Sequence, residues 1–160
     1  MKLHLVTVGR LKSGPERTLC DRYGERFQAI CRSIGIPEFR SVELSESNQR
    51  RSEDRMADEA RAIDAALPAG VRLILFDERG KSLSSPEFAE MLRGARESGA
   101  ANLALVIGGP DGLDPALRAR AQQVLSFGRL TLPHQIVRVL ALEQLYRAAT
   151  ILTGHPYHRT

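Results

Sequence analysis

Two nearly continuous apolar runs constrain this chain more than anything else in it. They are "VRLILF" at 71–76 and "NLALVIGG" at 102–109. A strand that covers only one face of a core alternates apolar with polar residues. These runs do not alternate, so each reads as a strand buried on both faces, as in a parallel sheet covered by helices. The stretch between them fits a crossover helix. Ser84, Ser85, Pro86 and Glu87 form a strong helix start, with a capping box from Ser84 to Glu87 or a Ser85 cap followed by Pro86, and the helix over 86–97 ends near Gly99.

The flanking segments extend the same pattern. "KLHLVTV" at 2–8 and "FRSVEL" at 39–44 read as strands, and "QVLSF" at 123–127 as a short one. Residues 15–31 place Leu19, Tyr23, Phe27 and Ile30 at helical spacing, with a break at "GIP" (35–37). The charge-rich residues 45–61 read as a solvated loop running into a helix that ends near "LPAG" (67–70). "DERGKSLSS" after Phe76 reads as a loop, Asp114-Pro115 as the cap of a short helix, and 134–153 as the closing helix before the tail "GHPYHRT". Strands alternating with helices predict an α/β fold: a mainly parallel sheet flanked by helices. With 160 residues, no repeat and no second core, one domain over 1–160 is expected.

Composition excludes more than it selects. No apolar run is long enough to span a membrane, and the N-terminus lacks the long apolar region of a signal peptide, so a cytoplasmic protein is expected. A net charge of +4 permits a polyanionic partner but is modest for gripping bare RNA. Cys20 and Cys31 are the only cysteines; on one helix they would stand about 16 Å apart, too far for a disulfide, so reduced thiols are expected. No Cys or His cluster has zinc spacing, and no metal is expected.

In open α/β sheets ligands bind beyond the carboxyl ends of the strands. Three such ends stand out: Phe76-Asp77 before "ERGK", Ile107-Gly108-Gly109-Pro110 with Asp111-Gly112, and Phe127-Gly128 before "RLTLP". Taken alone, "DERGK" reads more readily as a charged turn than as a ligand loop. "GGPDGL" reads equally as a tight turn and as a place where a ligand approaches the backbone. "GRLTLP" offers backbone amides, Thr131 and the apolar Leu130 and Leu132. That equipment suits the edge of a heterocycle better than a phosphate. On the last helix, apolar residues from Ile136 to Tyr146 run most of the way around, which suggests a second subunit beyond the chain's own sheet. Glu143 and Arg147 stand four apart, as a plain ion pair or as a phosphate-facing arginine. In the tail, Tyr157 can stack on a base and Arg159 can pair with phosphate, and a frayed terminus is the alternative. Two histidines, His155 and His158, are too few for a metal site.

Four segments together, "DERGKSLSSPEFA", "LVIGGPDGL", "LTLPHQIVRVLALEQLYRA" and "GHPYHR", resemble the RlmH family, SPOUT-class methyltransferases of bacterial 23S ribosomal RNA. The resemblance runs over the whole chain. It implies a single SPOUT domain whose C-terminal part forms a deep trefoil knot, a homodimer, and S-adenosylmethionine (SAM) as methyl donor. It also implies methylation of N3 of a pseudouridine in the helix 69 loop, presented by the assembled ribosome. Carried over by motif, the SAM site is Phe76, Gly109, Gly128, Arg129, Leu130, Thr131, Leu132 and Pro133. Position 76 is commonly leucine and position 128 commonly serine in such proteins. The substrate side is Glu143, Arg147, Tyr157, His158 and Arg159, with His158 the first candidate for the base that takes the N3 proton. His134 reads as a helix-start residue. The competing readings are a nucleotide-binding α/β transferase using "DERGK" and a non-catalytic ribosome-binding module.

Overall fold

The computed structural model describes residues 1–158. Five strands form one sheet in the order β2-β1-β4-β3-β5, and every pairing in it is parallel. The strands are β1 (Lys2–Val8), β2 (Phe39–Leu44), β3 (Arg72–Lys81), β4 (Asn102–Ile107) and β5 (Gln123–Leu125). The helices are α1 (Pro15–Ile30), α2 (Ser52–Ala66), α3 (Ser85–Glu97), α4 (Pro115–Ala119) and α5 (His134–Thr153). A short 3-10 turn, Cys31–Ile34, follows α1.

The apolar runs are buried on both faces because the sheet has a core on each side. Leu103, Leu105 and Ile107 of β4 face α1, α3 and α5, together with Leu3, Leu5, Phe27 and Leu145. Ala104 and Val106 face the other way, with Val6, Leu75, Ile63 of α2 and Leu117 of α4. Period-two geometry splits each strand between the two cores. Truncating a fully buried leucine such as Leu105 to alanine removes about 2–5 kcal/mol. Cys20 and Cys31 are free and buried.

The Ser84 capping box forms as expected: Ser84 Oγ accepts from the Glu87 N–H, and the Glu87 carboxylate accepts from the Ser84 N–H. Asp114 likewise caps α4 by accepting from the Ala116 N–H at 2.7 Å. Gly154, left-handed at φ 69°, ends α5 and releases the tail.

One segment departs from its expectation. "DERGK" is not a loop: β3 continues through it to Lys81. The register breaks after Phe76 and resumes with Lys81 opposite Leu125. The Ser126 N–H donates to the Lys81 carbonyl at 3.0 Å. A neighbouring strand supplies these bonds, which the charged local sequence does not reveal. Gly80 makes the approach possible, since a Cβ there would lie 2.4 Å from the Leu125 carbonyl carbon.

Candidate functional site

The three strand ends converge on one cavity of about 440 Å³. That is within the usual range for a cofactor-sized ligand. Phe76 stands in β3 where the register with β5 breaks, and its ring stacks on Phe127 at 4.9 Å with an 8° interplanar angle. Beyond β4 the chain folds into a tight turn in which the Gly112 N–H donates to the Gly109 carbonyl at 3.0 Å. Gly108 must be glycine because a Cβ would stand 2.9 Å from the Gly112 carbonyl oxygen. A Cβ on Gly109 would press on Val8 at 3.1 Å. Backbone therefore forms this wall of the cavity.

The third wall is the loop after β5. Ser126 Oγ donates to the Gly128 carbonyl at 2.6 Å and accepts from the Gly128 N–H at 3.1 Å. This folds the loop back, with Gly128 at φ 132°. Thr131 Oγ1 donates to Glu78 at 3.2 Å, tying the loop to the β3 extension. Leu130 lines the cavity and is 79% exposed. Among the described residues, the peptide N–H groups of Leu130, Thr131 and Leu132 have no protein partner. They are available to a ligand's polar edge. Of the residues assigned to the SAM site, Phe76, Gly109, Gly128, Leu130, Thr131 and Leu132 line the cavity. Arg129 and Pro133 belong to the same loop and are exposed beside it.

Asp77 is accounted for without a ligand. Its carboxylate accepts from Arg118 at 2.6 Å and from Arg79 at 3.3 Å. That pairing favours a structural role for "DERGK" over a nucleotide site. His134 lines the cavity from the first turn of α5. Burial, then the positive charge of Arg138, lowers its pKa from the usual imidazole value, so it is neutral at pH 7. Arg138 itself is buried and holds the Val8 and Gly9 carbonyls and Glu43, fixing the start of α5 to the ends of β1 and β2.

The other candidate residues form a second cluster. Glu143 Oε1 accepts from Arg147 at 2.6 and 2.9 Å and from the Tyr157 hydroxyl at 3.1 Å. The Arg147 guanidinium stands 5.0 Å from the Tyr157 ring centre, and Tyr146 packs on that ring at 4.6 Å. Burial, the Tyr23 hydroxyl and Glu143 all push the Tyr157 pKa up, so the phenol stays protonated. Arg26 of α1 lies against both Tyr23 and Tyr146 at 5.8 Å. These two α1 residues were not among the sequence candidates. His158 Nδ1 is buried without a partner among the described residues. Arg159 lies outside the described residues. Within one chain the two groups stand apart: from His134 to Glu143 is about 14 Å along the helix.

Among the described residues no three His, Cys, Asp or Glu side chains group as metal ligands, and no helix is long and apolar enough to cross a membrane.

An open parallel sheet with a backbone-lined cavity beyond its strand ends defines an α/β ligand-binding domain. The comparisons carry this further. The family model described as "Predicted SPOUT methyltransferase" matches residues 1–158, and the chain belongs to that family. It is 53% identical over 160 residues to a Methylobacterium radiotolerans protein named ribosomal RNA large subunit methyltransferase H, covering 99% of this chain and 98% of the relative. Proteins of the same name from Rhizobium meliloti and Brucella anthropi are 52% and 53% identical over 159 and 161 residues, covering 99% and 100% of both chains respectively. Among solved structures, the SpoU methyltransferase AviRb from Streptomyces viridochromogenes, in complex with AdoMet, aligns at 15% identity and a TM-score of 0.42 over 96% of this chain and 61% of that one.

Proposed function

We propose that this protein transfers a methyl group from SAM to large-subunit ribosomal RNA, at N3 of a pseudouridine in the helix 69 loop of the assembled ribosome. The carrying observation is the cavity at the ends of β3, β4 and β5, whose walls are peptide groups, Phe76, Leu130 and Leu132. Unpartnered amides next to apolar walls fit an adenine read by its edge. The names of the relatives at 52–53% identity support the substrate. In this reading residues 1–160 are one SPOUT domain carrying the deep trefoil knot, and the enzyme works in the cytoplasm.

The sulfonium methyl of SAM is already activated, so the protein's task is to orient donor and acceptor. The loop Gly128–Pro133 holds the cofactor. The acceptor N3 must lose its proton, and His158 is the proposed base. Arg147 and Arg159 are the proposed sources of positive charge that favours the deprotonated ring. Glu143 and Tyr157 fix Arg147 in place.

The separation of the two clusters along α5 supports a homodimer, with the tail of one protomer lying over the cavity of its partner. Ile136, 37% exposed, and the half-buried Leu140 present apolar surface on α5 for that contact.

The test is methyl transfer from labelled SAM to intact ribosomes, separated subunits and naked ribosomal RNA. Incorporation at the pseudouridine of intact ribosomes is expected, and its absence from all three refutes the reading. His158→Ala and His158→Gln with near-normal single-turnover rates would remove His158 from the base role.

A further inference from the structure

The Gly109–Gly112 turn is held from outside the cavity by two residues of α2, a helix that does not itself line it. Arg55 donates to both oxygens of Asp111, at 2.6 and 2.8 Å, and to the carbonyls of Gln49 and Arg50 at 3.0 and 2.8 Å. One guanidinium thus joins the loop before α2 to the turn after β4. Asp111 faces the cavity, and its ion pair with Arg55 holds its carboxyl below the usual range.

Glu59 stands one turn further along the same helix and is only 5% exposed. Its Oε1 accepts from the Ser47 N–H at 3.0 Å, while Oε2 is buried with no partner among the described residues. A Cβ on Gly109 would lie 3.2 Å from that Oε2. The carboxyl is packed behind the Gly109 backbone, on the side away from the cavity. Burial raises its pKa, with Asp111 and Glu46 adding in the same direction.

A buried carboxyl against a glycine backbone is a poor choice for stability alone, since an apolar side chain would fill the space without desolvating an acid. We propose that Arg55 and Glu59 are positioning residues that fix the Gly109–Gly112 wall of the cavity and thereby set the affinity for SAM. The inference rests on the SAM reading of the cavity. It gives α2, on the opposite side of the turn from the cofactor loop, a role in cofactor binding.

Calorimetric SAM titration separates the two ideas. Wild type should bind. Glu59→Ala and Arg55→Ala should raise the Kd about tenfold, the scale of a wall displaced by a fraction of an ångström. Their single-turnover rates at saturating SAM should stay within about twofold of wild type, because the reacting atoms are untouched. Glu59→Gln keeps the acceptor for Ser47 and the shape behind Gly109, and should restore binding to within about twofold. Arg61→Ala, an exposed residue of the same helix, is the control and should bind as wild type does. Arg55→Lys, which cannot span both Asp111 oxygens, covers the case of an alanine variant that fails to fold. Wild type that binds no SAM overturns the reading of the cavity. Wild-type binding with folded Glu59→Ala, Arg55→Ala and Arg55→Lys all unchanged overturns the role of α2 alone. Affinity losses that follow melting temperature, with no rescue by Glu59→Gln, also overturn it.

Discussion

Replacing Gly80 by alanine tests how the loop 128–133 is anchored. The added Cβ would stand 2.4, 2.6 and 2.7 Å from the carbonyl carbon, carbonyl oxygen and nitrogen of Leu125. These are backbone atoms of β5, so no rotamer change relieves the contact. The strands must separate by roughly 1 Å to restore ordinary van der Waals distance. Overpacking of this kind removes about 1–3 kcal/mol. For a chain of this size that lowers the melting temperature by about 3–10 °C. The displacement also has a direction. Leu125 leads straight into Ser126 and the loop 128–133, and the Ser126 N–H bond to Lys81 lies at the same contact. Binding of SAM should therefore weaken along with stability. Chemical denaturation and calorimetry measure the two effects. Gly94→Ala is the matched comparison: it lies within α3 with nothing within 4 Å of its Cβ position, and should stabilise by about 0.5–1 kcal/mol. A Gly80→Ala protein as stable as wild type, with unchanged SAM affinity, would show that β5 is not held by this contact.

Three further outcomes are expected. Ser84→Ala removes the side-chain half of the α3 capping box and should lower stability by about 1 kcal/mol in denaturant titrations. His134 has a folded pKa below its unfolded value, so the unfolded chain binds more protons between the two; stability should fall as pH drops from the ordinary imidazole range toward the folded pKa. His134→Gln should flatten that slope, as followed by melting temperature against pH. Tyr157→Phe keeps the ring against Arg147 and Tyr146 but loses the hydroxyl bond to Glu143. Methyl transfer to ribosomes should fall several-fold while SAM affinity stays constant, and equal losses in both would tell against a substrate-side role.

What could be read from the sequence is what local chemistry determines. The β4 run, the Ser84–Glu87 box and the Asp114 cap each announce themselves within a few residues, and each forms where expected. The loop 128–133, read as a heterocycle slot because it lacks acids and a phosphate cradle, lines the cavity. The β3 extension was not, because "DERGK" becomes strand only when β5 is alongside it. Arg55 was hidden for a similar reason. It sits in a charge-rich stretch that reads as solvated surface, and its partner Asp111 is 56 residues away. Tyr23 looked like an ordinary core position of α1, and only the return of the tail gives it a second role.

The length of α5 bears on how such a site can work. Its first turns carry His134 and Val137 at the cavity and are fixed by the buried Arg138, and the helix packs on α1 and α3. Its middle holds Tyr157 through Glu143. A helix of 20 residues is a rod of about 30 Å, and nothing in its sequence supplies a proline kink. Without a kink Glu143 stays about 14 Å from His134 along the helix, so in a single chain Tyr157, held on Glu143, stands apart from the cavity. The proposed homodimer resolves this without any change in the fold. Two rods packed antiparallel bring the later turns of one beside the first turn of the other. The exposed Ile136 and the half-buried Leu140 lie in the first two turns of α5, where such packing would begin.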